Sequence, residues 1–355
     1  MERLSAEWIE RELASARHCG ELRAWRDRLA EAFPKHLLAA DPLGWNRRLN
    51  RVHDALIRRA VELAERAMKE EGSGTAPLPY AFVLYGSGGR GEQTMWSDQD
   101  NGLIYADPPD EEMEERAKRY FEALAEKIGA NLLQAGYPPC SGGVICTNVN
   151  WRKTLSEYKA MLREWLDDPA WENVRYLLIA ADMRTVYGNA EIGAAALDDL
   201  FERVAADPAM LKYMLHNTLY HKVSLGVFGQ LIKERYGEDA GGVDVKYGAY
   251  IPIVNGLRLL ALEAGVRFTS TEERIAALVR AGKVDEEIGG DWEESLSIAL
   301  KLRNETPYQE QEGYYTTRGK LTAEQLTKER VRELKLCLRI GIDLQKYVKK
   351  AVLKE

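Results

Sequence analysis

The sequence is poor in cysteine and histidine and has no long apolar run, and each shortage excludes a class of protein. Its 355 residues include 4 cysteines and 5 histidines. No two cysteines form a CxxC pair, so neither a zinc site nor a disulfide framework is expected. No stretch of about 18 apolar residues occurs, so we expect no transmembrane helix and no membrane partner. The cysteines are Cys19, Cys140, Cys146 and Cys337.

The charge balance also lacks an excess of positive residues. Lys and Arg number 49 against 56 Asp and Glu, which gives a formal net charge of -7. A surface that binds nucleic acid over its whole extent needs the opposite sign, so a nucleic-acid partner is not expected. The hydrophobic fraction of 45% is enough for a core, and the charged N-terminus does not look like a signal peptide. We therefore expect a soluble, cytoplasmic protein.

The pattern of apolar residues predicts three parts. Residues 1–75 have apolar residues at helical spacing, and residues 76–152 contain three short runs of strand formers and an amphipathic helix at about 110–135. Residues 153–355 look helical almost throughout. We expect an α+β fold: a small mixed sheet with helices, between an N-terminal helical segment and a large all-helical C-terminal domain. The expected strands are 80–85, 101–105 and 143–149. The expected C-terminal helices are 153–167, 170–182, 190–205, 208–235, 248–264, 271–282, 291–303 and 322–350.

Glycines are concentrated in one place, Gly86-Ser-Gly-Gly-Arg-Gly91, directly after the first expected strand. A Walker phosphate loop has the same glycine spacing but requires a lysine where this chain has Glu92, and a carboxylate there would repel a phosphate. The GxGxxG fingerprint of dinucleotide-binding proteins also matches the spacing of Gly86, Gly88 and Gly91. However, only about ten residues separate Gly91 from the next strand, too few for the usual helical crossover. Both interpretations are therefore disfavoured.

A nucleotidyltransferase arrangement fits both the loop and the residues after it. It needs a Gly-Ser turn after a strand and then two carboxylates two residues apart, and the chain supplies Gly86-Ser87 (the Gly-Ser turn) and Asp98 with Asp100 (the aspartate pair). Because strand side chains alternate, the two carboxylates face the same way. Such a pair is stable mainly around a divalent cation such as Mg²⁺ or Mn²⁺. The turn's N–H groups, the Ser87 hydroxyl and Arg90 would then contact a nucleoside triphosphate (NTP).

Each of these residues also has an ordinary structural interpretation. An Asp-x-Asp pair alone is most often a polar turn, and its position after the Gly-Ser turn is what favours a site. Gln93 and Asn101 either hydrogen-bond a ribose or base, or cap the loop. Arg184, Lys246 and Arg258 either line a phosphate or acidic-substrate site, or are solvated or paired with acids.

Two further residues each have one functional and one structural interpretation. Arg303 either contributes to that phosphate site or is solvated like most helical arginines. Trp151, next to the third expected strand, either stacks on a base or belongs to the core, and large aromatic side chains are more often core.

The residues of the glycine loop resemble a known family. The string GSGGRGEQTMWSDQDNGLIYAD is similar to the GSxGRxEQxxxxDQDN pattern of DUF294 nucleotidyltransferase-like domains, relatives of the protein-PII uridylyltransferases in the polymerase-beta superfamily. Downstream, residues 182–188 resemble the family's DxRxxxG segment, and residues 243–246 and 251–263 resemble its substrate-binding helical domain. The resemblance covers roughly residues 50–345.

The resemblance implies triphosphate contacts for the Gly-Ser turn, and metal ligation and catalysis for the aspartate pair. Polymerase-beta-like enzymes usually add a third carboxylate from the next strand, but the strand expected at 143–149 contains no acid. Asp182 and Glu92 are the candidates to replace it.

We therefore expect two Mg²⁺ ions at the aspartate pair and the triphosphate. The expected reaction transfers a nucleoside monophosphate from an NTP to a hydroxyl acceptor, with a protein as one candidate acceptor chosen by the helical domain. Because the third carboxylate is missing, the alternative is a catalytically weak or inactive nucleotide-binding regulatory protein.

Overall fold

The computed structural model describes residues 6–32 and 35–354, so parts of the expected helical lead, residues 1–5 and 33–34, lie outside the described residues. The lead ends in a long helix that begins at Pro42, and the side chain of Asp41 caps it by accepting a hydrogen bond from the Gly44 backbone N–H at 2.8 Å. The helices of the lead are α1 (Ala6–Ala14), α2 (Cys19–Ala32), α3 (Lys35–Ala40) and α4 (Pro42–Glu70).

A four-stranded mixed sheet follows, with the strand order β3-β2-β1-β4. The central strand β1 is antiparallel to both neighbours, whereas β2 and β3 are parallel. The strands are β1 (Tyr80–Leu84), β2 (Asn101–Tyr105), β3 (Arg152–Thr154) and β4 (Arg184–Gly188). A short helix, α5 (Gly86–Arg90), follows β1, and a long one, α6 (Glu111–Gln134), follows β2.

The sheet is buried on both faces, which explains the unbroken apolar run of β1. Phe82 and Leu84 belong to the hydrophobic core formed with the N-terminal helices and α6. Ala81 and Val83, which alternate with them, belong to the core formed with the C-terminal helices. The sheet therefore packs against both helical parts, so a site at the end of its strands can include residues from each of them.

The C-terminal part is predominantly helical, and the predicted α+β class is confirmed. Its helices are α7 (Leu155–Asp167), α8 (Trp171–Ala180), α9 (Ala190–Ala196), α10 (Asp198–Ala206), α11 (Ala209–Thr218), α12 (Ile251–Glu263), α13 (Thr271–Arg280), α14 (Glu286–Asn304) and α15 (Lys328–Leu353). A turn of π-helix at Lys246–Tyr250 precedes α12. The expectation of an all-helical domain is wrong in detail, because two small two-stranded sheets interrupt it: β5 (Val243–Asp244) with β8 (Lys320–Leu321), and β6 (Tyr308–Gln311) with β7 (Tyr314–Thr317).

The third strand is not at 143–149, as the strand formers there suggested, but at Arg152–Thr154. The earlier segment forms turns around the buried side chain of Asn101. The backbone N–H of Cys146 donates to Asn101 Oδ1 at 2.8 Å, and the carbonyl of Val144 accepts from the backbone N–H of Asn101 at 3.0 Å. A buried polar side chain thus holds a segment whose composition favours a strand.

Two other boundaries differ from the expectation. The three-part division of the chain stays a prediction, but its boundary at residue 152 divides the sheet, since β4 at 184–188 pairs with β1. The helix expected over 208–235 ends at Thr218 and is followed by an irregular segment containing Gly226 and Gly229. In the part of the chain that the structure describes, no helix is both long enough and apolar enough to cross a bilayer.

Candidate functional site

The Gly-Ser turn lies directly against the aspartate pair. Tyr85 leaves β1 in an extended conformation, its backbone N–H donates to the carbonyl of Asp100 at 2.9 Å, and the chain then enters α5. Gly86 has φ +53°, and a Cβ placed on it would lie 2.8 Å from Asp100 Oδ2. Glycine is therefore required here both by the left-handed backbone and by the close approach of the carboxylate.

The aspartate pair lies just before β2 and already follows the alternation of a strand. Asp98 is exposed, Gln99 is buried and Asp100 is partly buried. Burial and the neighbouring Asp98 carboxylate raise the pKa of Asp100 to about 6. Burial together with the nearby Asp100 carboxylate raises the pKa of the Cys140 thiol to about 12, so the thiol stays protonated.

Asn101 and Gln93 are buried instead of facing the cleft. Asn101 is 1% exposed, and its side chain is engaged by Cys146 and by Gln99, whose Oε1 accepts at 3.3 Å. Gln93 lies behind the turn, with its backbone N–H donating to Asn50 Oδ1 at 2.8 Å. Its Oε1 is buried without a hydrogen-bond partner beside a cavity of about 10 Å³, roughly the room of one water molecule. These placements favour a structural role for both residues over base or ribose contact.

A cleft of about 750 Å³ opens in front of the turn and the aspartate pair. Gly86, Ser87, Asp98 and Asp100 line its sheet side, and the helical part supplies the opposite side. The residues of the C-terminal part that line it include Trp171, Tyr220, His221, Lys246, Tyr247, Tyr250, Asn255, Arg258 and Arg303. The structure thus brings the predicted phosphate-binding and metal-binding residues to one concave surface, which is the usual form of a ligand site.

Three arginines converge on one carboxylate at the wall of this cleft, where Asp182 and Arg90 are also among the lining residues. Asp182 is fully buried and accepts from Arg90 Nη1, from Arg258 Nε at 2.9 Å and from Arg274 Nη1 at 2.9 Å. Burial alone would raise the pKa of Asp182, but Arg258, Arg90 and Arg274 outweigh it and hold that pKa well below its usual range. Arg90 sits at the end of α5 and Arg258 on α12, so this cluster connects the Gly-Ser turn to the helical part.

The placement of Arg90 favours a structural role over the predicted phosphate contact. Its Nη1 donates to Asp182, its Nε donates to Glu92 at 2.8 Å, and its Nη2 donates to the Tyr250 hydroxyl at 2.9 Å. The same holds for Arg258, whose remaining nitrogen Nη1 donates to Asn255 Oδ1 at 2.9 Å.

Arg184 braces the Gly-Ser turn from β4. Its guanidinium makes a bidentate pair with Asp54 on α4, both contacts at 2.8 Å, and donates to the carbonyls of Gly88 at 2.9 Å and Gly89 at 3.2 Å. This geometry favours a role in positioning the turn over the predicted contact with substrate.

Lys246 and Arg303 of the helical part line the cleft without a carboxylate partner among the described residues, as does the exposed Arg175. Lys246 lines it and acts electrostatically on Asp100. Arg303 is 8% exposed, donates to the Glu92 carbonyl at 3.3 Å and lies 3.9 Å from the centroid of the Tyr250 ring. Neither forms an ion pair with a carboxylate within residues 6–32 and 35–354. A buried guanidinium without a counter-charge favours binding of an anion.

Sequence reasoning weighed Arg303 but did not assign it to the site, and it passed over Tyr247. Arg303 has no acidic residue three or four positions away on either side, a signal that this helical arginine lacks the usual local partner. Trp151, by contrast, is 3% exposed and belongs to the core.

Comparison with protein families agrees with this geometry. The family described as "Putative nucleotidyltransferase DUF294" matches residues 39–172. A second family, "Putative nucleotidyltransferase substrate binding domain", matches residues 208–352. The chain belongs to the DUF294 family. The first match contains the Gly-Ser turn and the aspartate pair, and the second contains Lys246 and Arg303. No curated protein matches the chain.

The third carboxylate of polymerase-beta-like enzymes is not supplied by either predicted substitute in this DUF294 protein. Asp182 is saturated by three guanidinium groups. Glu92 is 3% exposed, and its oxygens accept from Arg90, from the Tyr250 hydroxyl and from the Thr271 backbone N–H at 3.0 Å. Both carboxylates serve ion-pair and hydrogen-bond networks, so within the described residues the acidic side chains available at the cleft are the aspartate pair.

The aspartate pair nevertheless fits a divalent cation. Among the described residues, no group of three or more His, Cys, Asp or Glu side chains is placed to hold a metal ion by itself. Mg²⁺ does not need such a cage, because it usually binds through one or two carboxylates together with water and substrate phosphates. Burial and the nearby Asp98 carboxylate disfavour the charged form of Asp100, as its raised pKa indicates, and a bound cation would offset both effects.

Proposed function

We propose that this chain is a metal-dependent nucleotidyltransferase that transfers a nucleoside monophosphate from an NTP to a hydroxyl group. The observation that carries the proposal is the contact between Gly86 and Asp100, where even a methyl group would approach the carboxylate to 2.8 Å. The turn suited to phosphate and the pair suited to a cation therefore form one site at one cleft.

The chain's own residues have distinct tasks in this proposal. The Gly-Ser turn offers the Ser87 hydroxyl and backbone N–H groups to the phosphates. Asp98 and Asp100 would hold Mg²⁺ or Mn²⁺, which neutralises negative charge on the triphosphate. Lys246 and Arg303 face the cleft from the helical part and offset the charge of the departing pyrophosphate.

The group transfer forms one bond and breaks one bond, both at the α-phosphorus. The acceptor's hydroxyl oxygen bonds to the α-phosphorus, the bond from that phosphorus to the bridging oxygen of the β-phosphate breaks, and pyrophosphate leaves while the hydroxyl proton passes to solvent. A protein remains our proposed acceptor. The match of the helical part to a substrate-binding domain supports its role in choosing that acceptor.

The transfer assay uses α-³²P-labelled ATP, GTP, CTP and UTP with Mg²⁺ or Mn²⁺ and cell extract. Wild-type protein should label an acceptor, and the double variant Asp98→Asn/Asp100→Asn should not. Asp110→Asn is a matched control, because Asp110 is an exposed N-cap of α6 and asparagine caps helices equally well. Equal labelling by wild type and the double variant would refute the enzymatic proposal.

A second candidate function is a nucleotide-binding regulator without turnover. The observation that favours it is the engagement of Asp182 and Glu92 in buried ion pairs, which leaves the aspartate pair without a third acid. This candidate predicts that an NTP with Mg²⁺ raises the melting temperature of the wild type, with no transfer of label to any acceptor.

A further inference from the structure

One wall of the cleft carries a row of aromatic rings, which we call the aromatic wall: Trp171, Tyr220, His221 and Tyr247. Successive ring centroids are 5.2 Å, 5.2 Å and 5.0 Å apart, and the last pair, His221 and Tyr247, is stacked. Trp171, Tyr220 and Tyr247 are 41%, 65% and 44% exposed. Single exposed aromatic residues are ordinary, but a connected set lining a concave site favours a ligand with a flat ring.

The aromatic wall is continuous with the charged end of the cleft. Lys246 directly precedes Tyr247 in the π-helical turn, and its Nζ lies 5.3 Å from the centroid of the Tyr247 ring. The same lysine acts electrostatically on Asp100. The lysine, the carboxylate and the aromatic rings therefore lie on one continuous surface. A single nucleotide could place its phosphates at the charged end of this surface and its base at the aromatic end.

His221 contributes an uncharged aromatic ring to this wall near neutral pH. Burial lowers the pKa of His221 below its usual value, so the imidazole is neutral near pH 7 and presents its ring to the stack without a competing charge.

We propose that the aromatic wall, through Tyr247 above all, binds the nucleobase of the NTP by stacking. The inference rests on the proposed function and deepens it, because it assigns the base to the helical part and the phosphates to the turn and the aspartate pair. Stacking tolerates any base, because purines and pyrimidines all present a flat π-face. Selectivity among the four bases is therefore modest at this wall.

The test measures the contribution of the base to binding separately from that of the phosphates, because tripolyphosphate has no base. Affinities of ATP, GTP, CTP, UTP and inorganic tripolyphosphate are measured by calorimetry in the presence of Mg²⁺. Tyr247→Ala should weaken NTP binding by about 5-fold or more, the lower end of the contribution of one stacked base, and leave the affinity for tripolyphosphate unchanged within about 2-fold. Tyr247→Phe keeps the ring and should bind like wild type. Tyr220→Ala provides a second truncation of the wall, at a more exposed residue.

Tyr236→Ala is the matched control, since Tyr236 is 86% exposed and is not among the residues that line the cleft. It should bind every ligand like wild type. If Tyr247→Ala and Tyr220→Ala both bind NTPs as wild type does, or lose affinity for NTP and tripolyphosphate equally, the base is not on this wall and the inference is wrong. If wild type binds none of the five ligands, the proposed function fails as well. The two failures are thus distinguishable.

Discussion

Replacing Asp182 by asparagine tests the connection between the Gly-Ser turn and the helical part. The carboxylate is fully buried and accepts from Arg90, Arg258 and Arg274, whose side chains are at most 8% exposed. Asparagine keeps the shape and one acceptor oxygen but removes the charge. Of the three buried guanidinium groups, Arg90 then keeps one carboxylate partner, Glu92, whereas Arg258 and Arg274 keep none among the described residues.

The expected loss of stability follows from the three buried ion pairs that Asp182 makes. Removing one partner of a buried ion pair typically costs about 3–5 kcal/mol, and here one substitution affects three pairs at once. We expect Asp182→Asn to lower the free energy of unfolding by at least about 3 kcal/mol, a large part of the roughly 5–15 kcal/mol of an ordinary domain. Urea unfolding followed by circular dichroism measures the difference.

Asp198→Asn is the matched control, because Asp198 pairs with Arg267 at 2.7 Å while both side chains are half exposed. An exposed pair of this kind contributes about 0–1 kcal/mol. If Asp182→Asn costs no more than Asp198→Asn, the buried cluster does not hold the two parts together as described.

The pH dependence of stability provides an independent check. The folded-state pKa of Asp182 lies below its ordinary value of 3.8, because the three arginines outweigh its burial. Its contribution is therefore present above that ordinary value and is lost as the pH falls below it. The stability difference between wild type and Asp182→Asn should narrow on acidification from about pH 4 downwards.

Two further predictions concern the aspartate pair and the turn. Gly86→Ala and Gly91→Ala both put a side chain at positive φ and should each lose about 1 kcal/mol of stability. Only Gly86→Ala places a Cβ against Asp100, so it alone should weaken NTP binding at least about tenfold, and equal losses would contradict this. Because the pKa of Asp100 is raised to about 6, Mg²⁺-dependent NTP binding should weaken as the pH falls through that value. Asp100→Asn should lack this part of the pH dependence, and an unchanged profile would contradict it.

The placement of the candidate site's residues could be predicted from the sequence better than that of their surroundings, whereas their roles stay predictions. Gly86, Ser87, Asp98 and Asp100 occur within 15 consecutive positions, so strand alternation and turn chemistry were enough to bring them together. The strands β1 and β2 and the helix α6 were predicted for the same reason, since their signals are local.

The remaining features depend on contacts that are distant in sequence. Burial of Asn101 turned 143–149 into a loop, and β4 joins the sheet through pairing with a strand about one hundred residues earlier. The predicted ligands Arg90, Arg184 and Arg258 are arginines whose partners Asp182 and Asp54 lie 76 to 130 positions away. No local pattern distinguishes such a buried pair from a phosphate ligand.

Metal-dependent NTP binding tests the central claim most directly. Calorimetric titration of wild type and of Asp98→Asn/Asp100→Asn with each NTP is carried out with Mg²⁺ and again with EDTA. We predict that wild type binds an NTP with Mg²⁺, that EDTA abolishes or strongly weakens binding, and that the double variant behaves alike under both conditions. NTP binding by the double variant that equals wild type, or wild-type binding that EDTA leaves unchanged, would contradict a joint metal and nucleotide site at the Gly-Ser turn and the aspartate pair.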